Sequence, residues 1–238
     1  MQNIKNLTIA EIVAKDFRTS DVFRKHQIDF CCGGKISLLD AKKQYGIEPE
    51  TLIREINEVL DSNAAATHAY NEWDLDFLAD FIERTHHQFV RNEIPVLDAY
   101  LNKIAAVHGE NHPELHEVKS LFQASAKALL AHMEEEENLL FPKIRLLANA
   151  EKPENGAKPV FIDHTITKLI GEHETEGDRF KEIAQLTAQY SIPEDACNTY
   201  MVALSKLAAF EQDLHQHIHL ENNILFPKAI ARESLILQ

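Results

Sequence analysis

The sequence predicts an all-α protein: a four-helix bundle of up-down-up-down order preceded by a small helical domain. Three observations predict it. Leu, Ala, Glu and Lys dominate, and only 7 Gly and 8 Pro occur in 238 residues, too few for a turn-rich all-β chain. Beyond Trp73, apolar residues recur in alternating steps of four and three. That same region contains an internal repeat of helix pairs.

The elements follow in order. Residues 1–62 read as short helices. Thr8-x-x-Glu11 is a capping box opening the first, and Ser20 to Lys25 carries a second. After Cys31-Cys32-Gly33-Gly34, Ser37-x-x-Asp40 opens a third, and Pro49 suits the first turn of a fourth that runs to Leu60. The polar, small-residue stretch Asp61 to Asn71 lacks apolar periodicity, so residues 63–72 are expected to be a linker. Residues 73–238 then form the bundle.

In the bundle, helix one carries His87, Val90, Leu97 and Leu101 on one stripe, with His86 just off it. Helix two is expected near Pro113; its seam is Val118, Phe122, Ser125, Leu129, His132, Glu136 and Leu139. Ser125, the one small hydroxyl there, can bond back to a carbonyl of the preceding turn. Glu151 to Lys158 is the crossover. Helix three aligns Ile166, Leu169, His173 and Phe180. Helix four is expected to start at Ser191-x-x-Glu194, with Pro193 in its first turn and Ala203, Leu207, Phe210, Leu214, His217, Glu221 and Ile224 on its seam. Pro95, Pro142 and Pro227 should kink or end their helices.

The repeat concentrates the chemistry. HMEEEENLLFPKI begins at His132 and HIHLENNILFPKAI at His217; both place Glu four residues after His and Phe-Pro-Lys beyond it. His87 lies 45 residues before His132, and His173 lies 44 before His217. Each half is thus a helix with one His, a connection, and a helix with His-x-x-x-Glu, an αα-hairpin used twice. An imidazole and a carboxylate one turn apart stand on a mainly apolar seam. Two carboxylates buried without partners would cost several kcal/mol and repel each other. Cations between them remove both problems. Four His and two Glu suffice for two metals if both glutamates bridge, and mixed nitrogen and oxygen ligation favours iron or manganese over structural zinc.

Blander readings compete. A lone seam histidine is ordinarily a hydrogen-bonded core residue, and one His-x-x-x-Glu is an ordinary surface pair. It is the duplication, with a matching upstream His each time, that points to metal. The i, i+4 pairs His112/His116 and His215/His219 fall off the seams and read as solvated surface. His164 suits a capping or loop role, and the run Glu134 to Glu137 reads as a solvated face except for Glu136. Glu176, three residues after His173, could support it.

Charge and cysteine content narrow the class. The net charge of −14 removes the basic footprint that nucleic-acid binding needs. No apolar run is long enough for a membrane span, and Met1 to Ala10 lacks a secretory pattern. Three cysteines, two adjacent, argue against a disulfide framework and for a reducing cytoplasm. Cys31-Cys32 beside two glycines reads as functional or as two buried, inert thiols; at a helix N-terminus their pKa would fall. Cys197 reads as core.

The segments Phe23 to His26 (FRKH), Asp29 to Gly34 (DFCCGG) and His217 to Pro227 (HIHLENNILFP) resemble the di-iron iron–sulfur cluster repair proteins, the bacterial repair of iron centres family, over nearly the whole chain. The resemblance implies a hemerythrin-like bundle holding two iron ions, oxo- and carboxylate-bridged, on His87, His132, Glu136, His173, His217 and Glu221. It implies repair of clusters damaged by nitric oxide or peroxide through release of labile iron, with damaged iron–sulfur proteins as partners and Cys31 and Cys32 in redox control or client contact. A nitric oxide reductase and a hemerythrin-like oxygen or nitric oxide binding protein are the alternatives. Oligomeric state stays open, a homodimer included.

Overall fold

The computed structural model describes residues 4, 7–62, 69–149 and 162–236. The expected crossover Glu151 to Lys158 and most of the expected linker lie outside them. The described residues form helices and no strand.

The N-terminal helices are α1 (Ile9–Lys15), α2 (Ser20–Lys25), α3 (Leu38–Tyr45) and α4 (Pro49–Asp61). Their ends follow local chemistry. Thr8 and Glu11 form the reciprocal capping box, Ser37 accepts from the Asp40 N–H, and Pro49 occupies the first turn of α4. A short turn at Tyr70–Glu72 follows, with Tyr70 buried against Trp73.

Helix one is α5 (Leu75–Ile82), a wide π turn at Glu83–His87, and α6 (Gln88–His108). Helix two is α7 (Glu114–Glu135), a π turn at Glu136–Leu140, and α8 (Phe141–Asn149). Helix three is α9 (Asp163–Leu186). Helix four is α10 (Asn198–Leu220), a π turn at Glu221–Leu225, and α11 (Phe226–Ile236). Around the bundle α6 packs on α7, α7 on α9, α9 on α10, and α10 back on α6.

The interior divides into two apolar clusters. One includes Leu78, Ile82, Leu140, Phe141, Ile166, Leu169, Ile224 and Phe226. The other includes Val90, Leu97, Val118, Phe122, Phe180, Leu207 and Phe210, and extends into the N-terminal helices through Phe23, Phe30 and Leu38. Helices one and three run from the first cluster to the second, and helices two and four run back. That is up-down-up-down order. The predicted histidines and glutamates fall between the two clusters on every helix.

Several sequence expectations shift. Leu139 is not on the seam: it is 54% exposed, and Leu140 is buried instead. The π turn at Glu136–Leu140 adds a residue to one turn, so the stripe slips by one position. Pro95, Pro142 and Pro227 do not end helices; Pro95 lies inside α6, and the other two are second residues of α8 and α11. Helix four starts at Asn198, not at Ser191. Ala188, Gln189 and Tyr190 leave α9 in left-handed conformation, and the Ser191 hydroxyl donates to the Ala188 carbonyl instead of capping a helix. Cys197 is therefore the extended N-cap residue and is exposed, not core. His219 is fully buried, and His215 is partly so; both rings pack on Phe30 where the N-terminal segment covers α10.

Candidate metal centre

Six side chains from four helices converge between the apolar clusters. Their ligand atoms form two groups, His87, Glu136, His217 and Glu221, and His132, Glu136, His173 and Glu221. Both groups share both glutamates. The sequence did not show which histidines pair: helix one pairs with helix four, and helix two with helix three. His87, Glu136 and Glu221 are wholly buried, and the other three are at most 5% exposed.

Three of the six lie in π turns. His87 ends the first, Glu136 opens the second and Glu221 opens the third. In the second and third turns the amide ladder slips by one, with Phe141 N–H donating to the Glu136 carbonyl and Phe226 N–H to that of Glu221. Each slip follows a glutamate that regular helix has already turned inward, and in helix two the apolar stripe resumes one residue later.

The donor set fits cations. His87 Nε2 and His217 Nε2 are 3.1 Å apart, and His132 Nε2 and His173 Nε2 are 2.9 Å apart. On their far sides, His87 Nδ1 faces Glu137 at 2.7 Å, His132 Nδ1 faces Glu172 at 2.8 Å, and His173 Nδ1 faces Asn222 Oδ1 at 2.8 Å. Those acceptors hold the Nδ1 protons. With Nδ1 so engaged, the two facing Nε2 atoms can approach only with a proton or a cation between them. Neither oxygen of Glu136 has a hydrogen-bond donor, and Glu221 Oε2 has none. Glu136 Oε2 lies 3.4 Å from both His87 and His132, close enough for charge attraction but outside hydrogen-bond geometry. Three buried carboxylate oxygens without donors suit a positive charge beside them.

Protons partly fill that role. Burial pulls the His87 pKa down, yet the Glu136 and Glu221 carboxylates outweigh it and lift it to about 10. Burial opposes His132 as well, and Glu136 and Glu172 raise it well above its usual value. Burial and mutual repulsion work against the two carboxylates, but the surrounding histidines keep both below the usual range. His217 is lowered by burial.

The supporting shell differs from expectation. Glu137 is not solvated: it is half-buried, holds His87 and accepts two hydrogen bonds from Arg91 at 2.7 and 2.9 Å. Glu172 supports His132, which lowers its pKa to about 2. Glu176 does not support His173. It is buried against Ser125 and Arg179, so Ser125 donates across to α9, not to its own helix. Asn222 supports His173; its position just after the second Glu, inside a π turn, is the signal that could have found it. His86 joins neither group: its Nδ1 meets Asp213 at 2.9 Å and its ring stacks on His217.

The vicinal cysteines lie in a bend, not at a helix N-terminus. Both are free. Cys31 is buried, and its contact with the Cys32 sulfur, its burial and Asp29 push its pKa well up, where a helix N-terminus would have lowered it. Cys32 touches the bundle beside Asn222, whose Nδ2 is 4.0 Å from its sulfur. His112 pairs with Glu114 and Asp195 at 3.0 Å, while His116 and His164 are exposed.

Comparison with known proteins agrees with this architecture. Residues 78–229 match the Hemerythrin HHE cation binding domain, and residues 5–60 match a Domain of Unknown function (DUF542). The chain is 35% identical to the iron-sulfur cluster repair protein ScdA of Staphylococcus haemolyticus, covering 92% of this chain and 96% of that protein. It is 30% identical to ScdA of Staphylococcus epidermidis over 92% and 96% of the two chains. It is 31% identical to the iron-sulfur cluster repair protein YtfE of Yersinia pestis over 96% and 99%. The chain belongs to the iron–sulfur cluster repair proteins that carry a hemerythrin-type cation-binding domain.

Proposed function

We propose that this chain repairs iron–sulfur clusters damaged by nitrosative or oxidative stress, supplying iron from a labile di-iron centre in the cytoplasm. The observation that carries the reading is the facing Nε2 pair of His132 and His173 at 2.9 Å, beside carboxylate oxygens without donors. Two irons would be held by His87 and His217 and by His132 and His173, with Glu136 and Glu221 shared as bridges. An oxo bridge would complete the pair. When bound, the irons supply Lewis acidity and one-electron chemistry.

The chain's own residues set the ease of release. His87 and His132 take up protons readily because the buried carboxylates stabilise their cations. Protons therefore compete with metal at the same nitrogens, and a site that protons can occupy gives up its metal more easily. Glu137, Glu172 and Asn222 hold three imidazoles in orientation through Nδ1. The thiol loop packed beside Asn222 is superfluous for an oxygen carrier and favours a client-directed role. Damaged iron–sulfur proteins are the partners under this reading, with nitric oxide or oxygen as small ligands. No described helix is long and apolar enough to cross a membrane.

The test is transfer of isotopically labelled iron from the loaded chain to a nitric-oxide-treated iron–sulfur enzyme, with enzyme activity followed in parallel. Label in the rebuilt cluster with recovered activity supports repair by supply. Catalytic nitrous oxide formation without iron transfer would instead make the chain a nitric oxide reductase and overturn the proposal.

A further inference from the structure

The loop from Asp29 to Gly34 is built to hold two thiols on one side. Asp29 Oδ1 accepts the N–H groups of Cys31 and Cys32 at 2.9 Å each, and Oδ2 accepts that of Gly33 at 2.9 Å. Gly34 allows the close return against α1: a Cβ there would stand 2.4 Å from the Phe30 carbonyl oxygen and 3.0 Å from the Ala10 side chain. Its carbonyl accepts from the Ala10 N–H at 2.8 Å. From the bundle side, Asn223 Nδ2 donates to the Cys31 carbonyl at 3.0 Å. The loop is thus fixed from two directions before any ligand arrives.

The resulting separations have the dimensions of a metal site. Cys31 and Cys32 sulfurs are 3.9 Å apart, and Asp29 Oδ1 is 3.3 Å from the Cys31 sulfur. Tetrahedral coordination with metal–sulfur bonds of about 2.3 Å has a sulfur–sulfur edge of about 3.8 Å, and a mixed edge with an oxygen at about 2.0 Å is about 3.5 Å. All three ligand atoms lie within 4.8 Å of one another. Cys32 is half-buried and Asp29 exposed, so an ion can reach the site from solvent.

We propose that Asp29, Cys31 and Cys32 form a second cation site, taking one thiophilic divalent ion apart from the bundle centre. Binding makes two metal–sulfur bonds and one metal–oxygen bond, and releases the two thiol protons to solvent. Three protein ligands leave a fourth position open for an outside donor, as in exchanging sites rather than closed structural ones. The site lies one side chain from the centre: the Asn222 amide reaches 4.0 Å to the Cys32 sulfur on one side and 2.8 Å to His173 on the other. This makes the loop the exit point for iron leaving the bundle; that role rests on the repair reading, whereas the site itself does not.

The experiment uses the full iron-loaded chain with Cys197→Ser, thiols reduced, titrated anaerobically with Co²⁺. The expected result is one further equivalent bound with thiolate-to-cobalt charge-transfer absorption, lost in Cys31→Ser/Cys32→Ser and weakened at least tenfold by Asp29→Asn. Absence of that absorption, or its persistence in the double serine chain, overturns the site; the iron spectrum of the bundle shows that each variant is folded. Iron release to an acceptor that is unchanged in the double serine chain keeps the site and overturns its exit role. No release from the unsubstituted chain overturns the repair reading and leaves the cobalt result standing.

Discussion

Loading the metal-free chain with ferrous iron at pH 7.5 is expected to expel about two protons per chain, because ligands must be deprotonated to bind. His87, raised to about 10 against burial by Glu136 and Glu221, is almost fully protonated at that pH. Displacing its proton costs about 3.5 kcal/mol, from about 2.5 pH units at about 1.4 kcal/mol each. His132, raised well above its usual value, supplies the second proton, while His217, lowered by burial, supplies none. The affinity for each iron should then rise about tenfold per pH unit, and the overall two-iron constant about a hundredfold, while both remain protonated. Isothermal calorimetry in buffers of different ionisation enthalpy counts the protons. Glu136→Gln removes a shared carboxylate and should roughly halve the count. Fewer than about half a proton released, or a count unmoved by Glu136→Gln, would refute the reasoning. A stability effect follows with definite sign. A histidine whose folded pKa is raised stabilises the fold below its unfolded value near 6.5 and loses that contribution as pH rises through the folded value. The metal-free chain should therefore lose thermal stability between pH 6.5 and about 10, the His87 value, and metal should remove that trend.

Three further outcomes are expected. Glu136→Leu or Glu221→Leu should lower the metal content from about two per chain to one or none by elemental analysis, since each carboxylate belongs to both groups; two metals with an unchanged spectrum would sink the ligand assignment. Gly34→Ala should destabilise by about 1–3 kcal/mol, with the melting temperature falling about 2–4 °C per kcal/mol, because its Cβ meets backbone that cannot move away; unchanged melting would show that the loop relaxes freely. Cys197 should alkylate with a midpoint near its pKa of about 7, set by His108 at 3.2 Å and the N–H groups of Tyr200 and Thr199, and His108→Ala should move the midpoint upward; a profile indifferent to that change would remove His108 as the cause.

The N-terminal caps were legible because capping is local: Thr8, Glu11, Ser37 and Pro49 act within one turn of chain. Helix four illustrates the opposite. Ser191 and Glu194 have the right spacing for a cap, but the left-handed exit of α9 at Ala188 to Tyr190 takes the Ser191 hydroxyl for its own turn. His215 and His219 lie off the bundle seam, so periodicity placed them in solvent; they are covered by Phe30, from a segment nearly two hundred residues away.

By itself, the sequence determined that four histidines and two glutamates would stand on apolar seams of four helices, since helical periodicity and a repeat along one chain define which side chains share a face. Only the tertiary structure decided which histidines pair, because pairing depends on which helices are neighbours. It also decided the slipped registers, where a π turn moves Leu139 out and Leu140 in. Such a turn is unfavourable alone and is held by packing on both sides of it. The supporting residues Glu137, Glu172 and Asn222 were settled in the same way. Each acts across a gap between helices, and a contact of that kind has no period in the sequence.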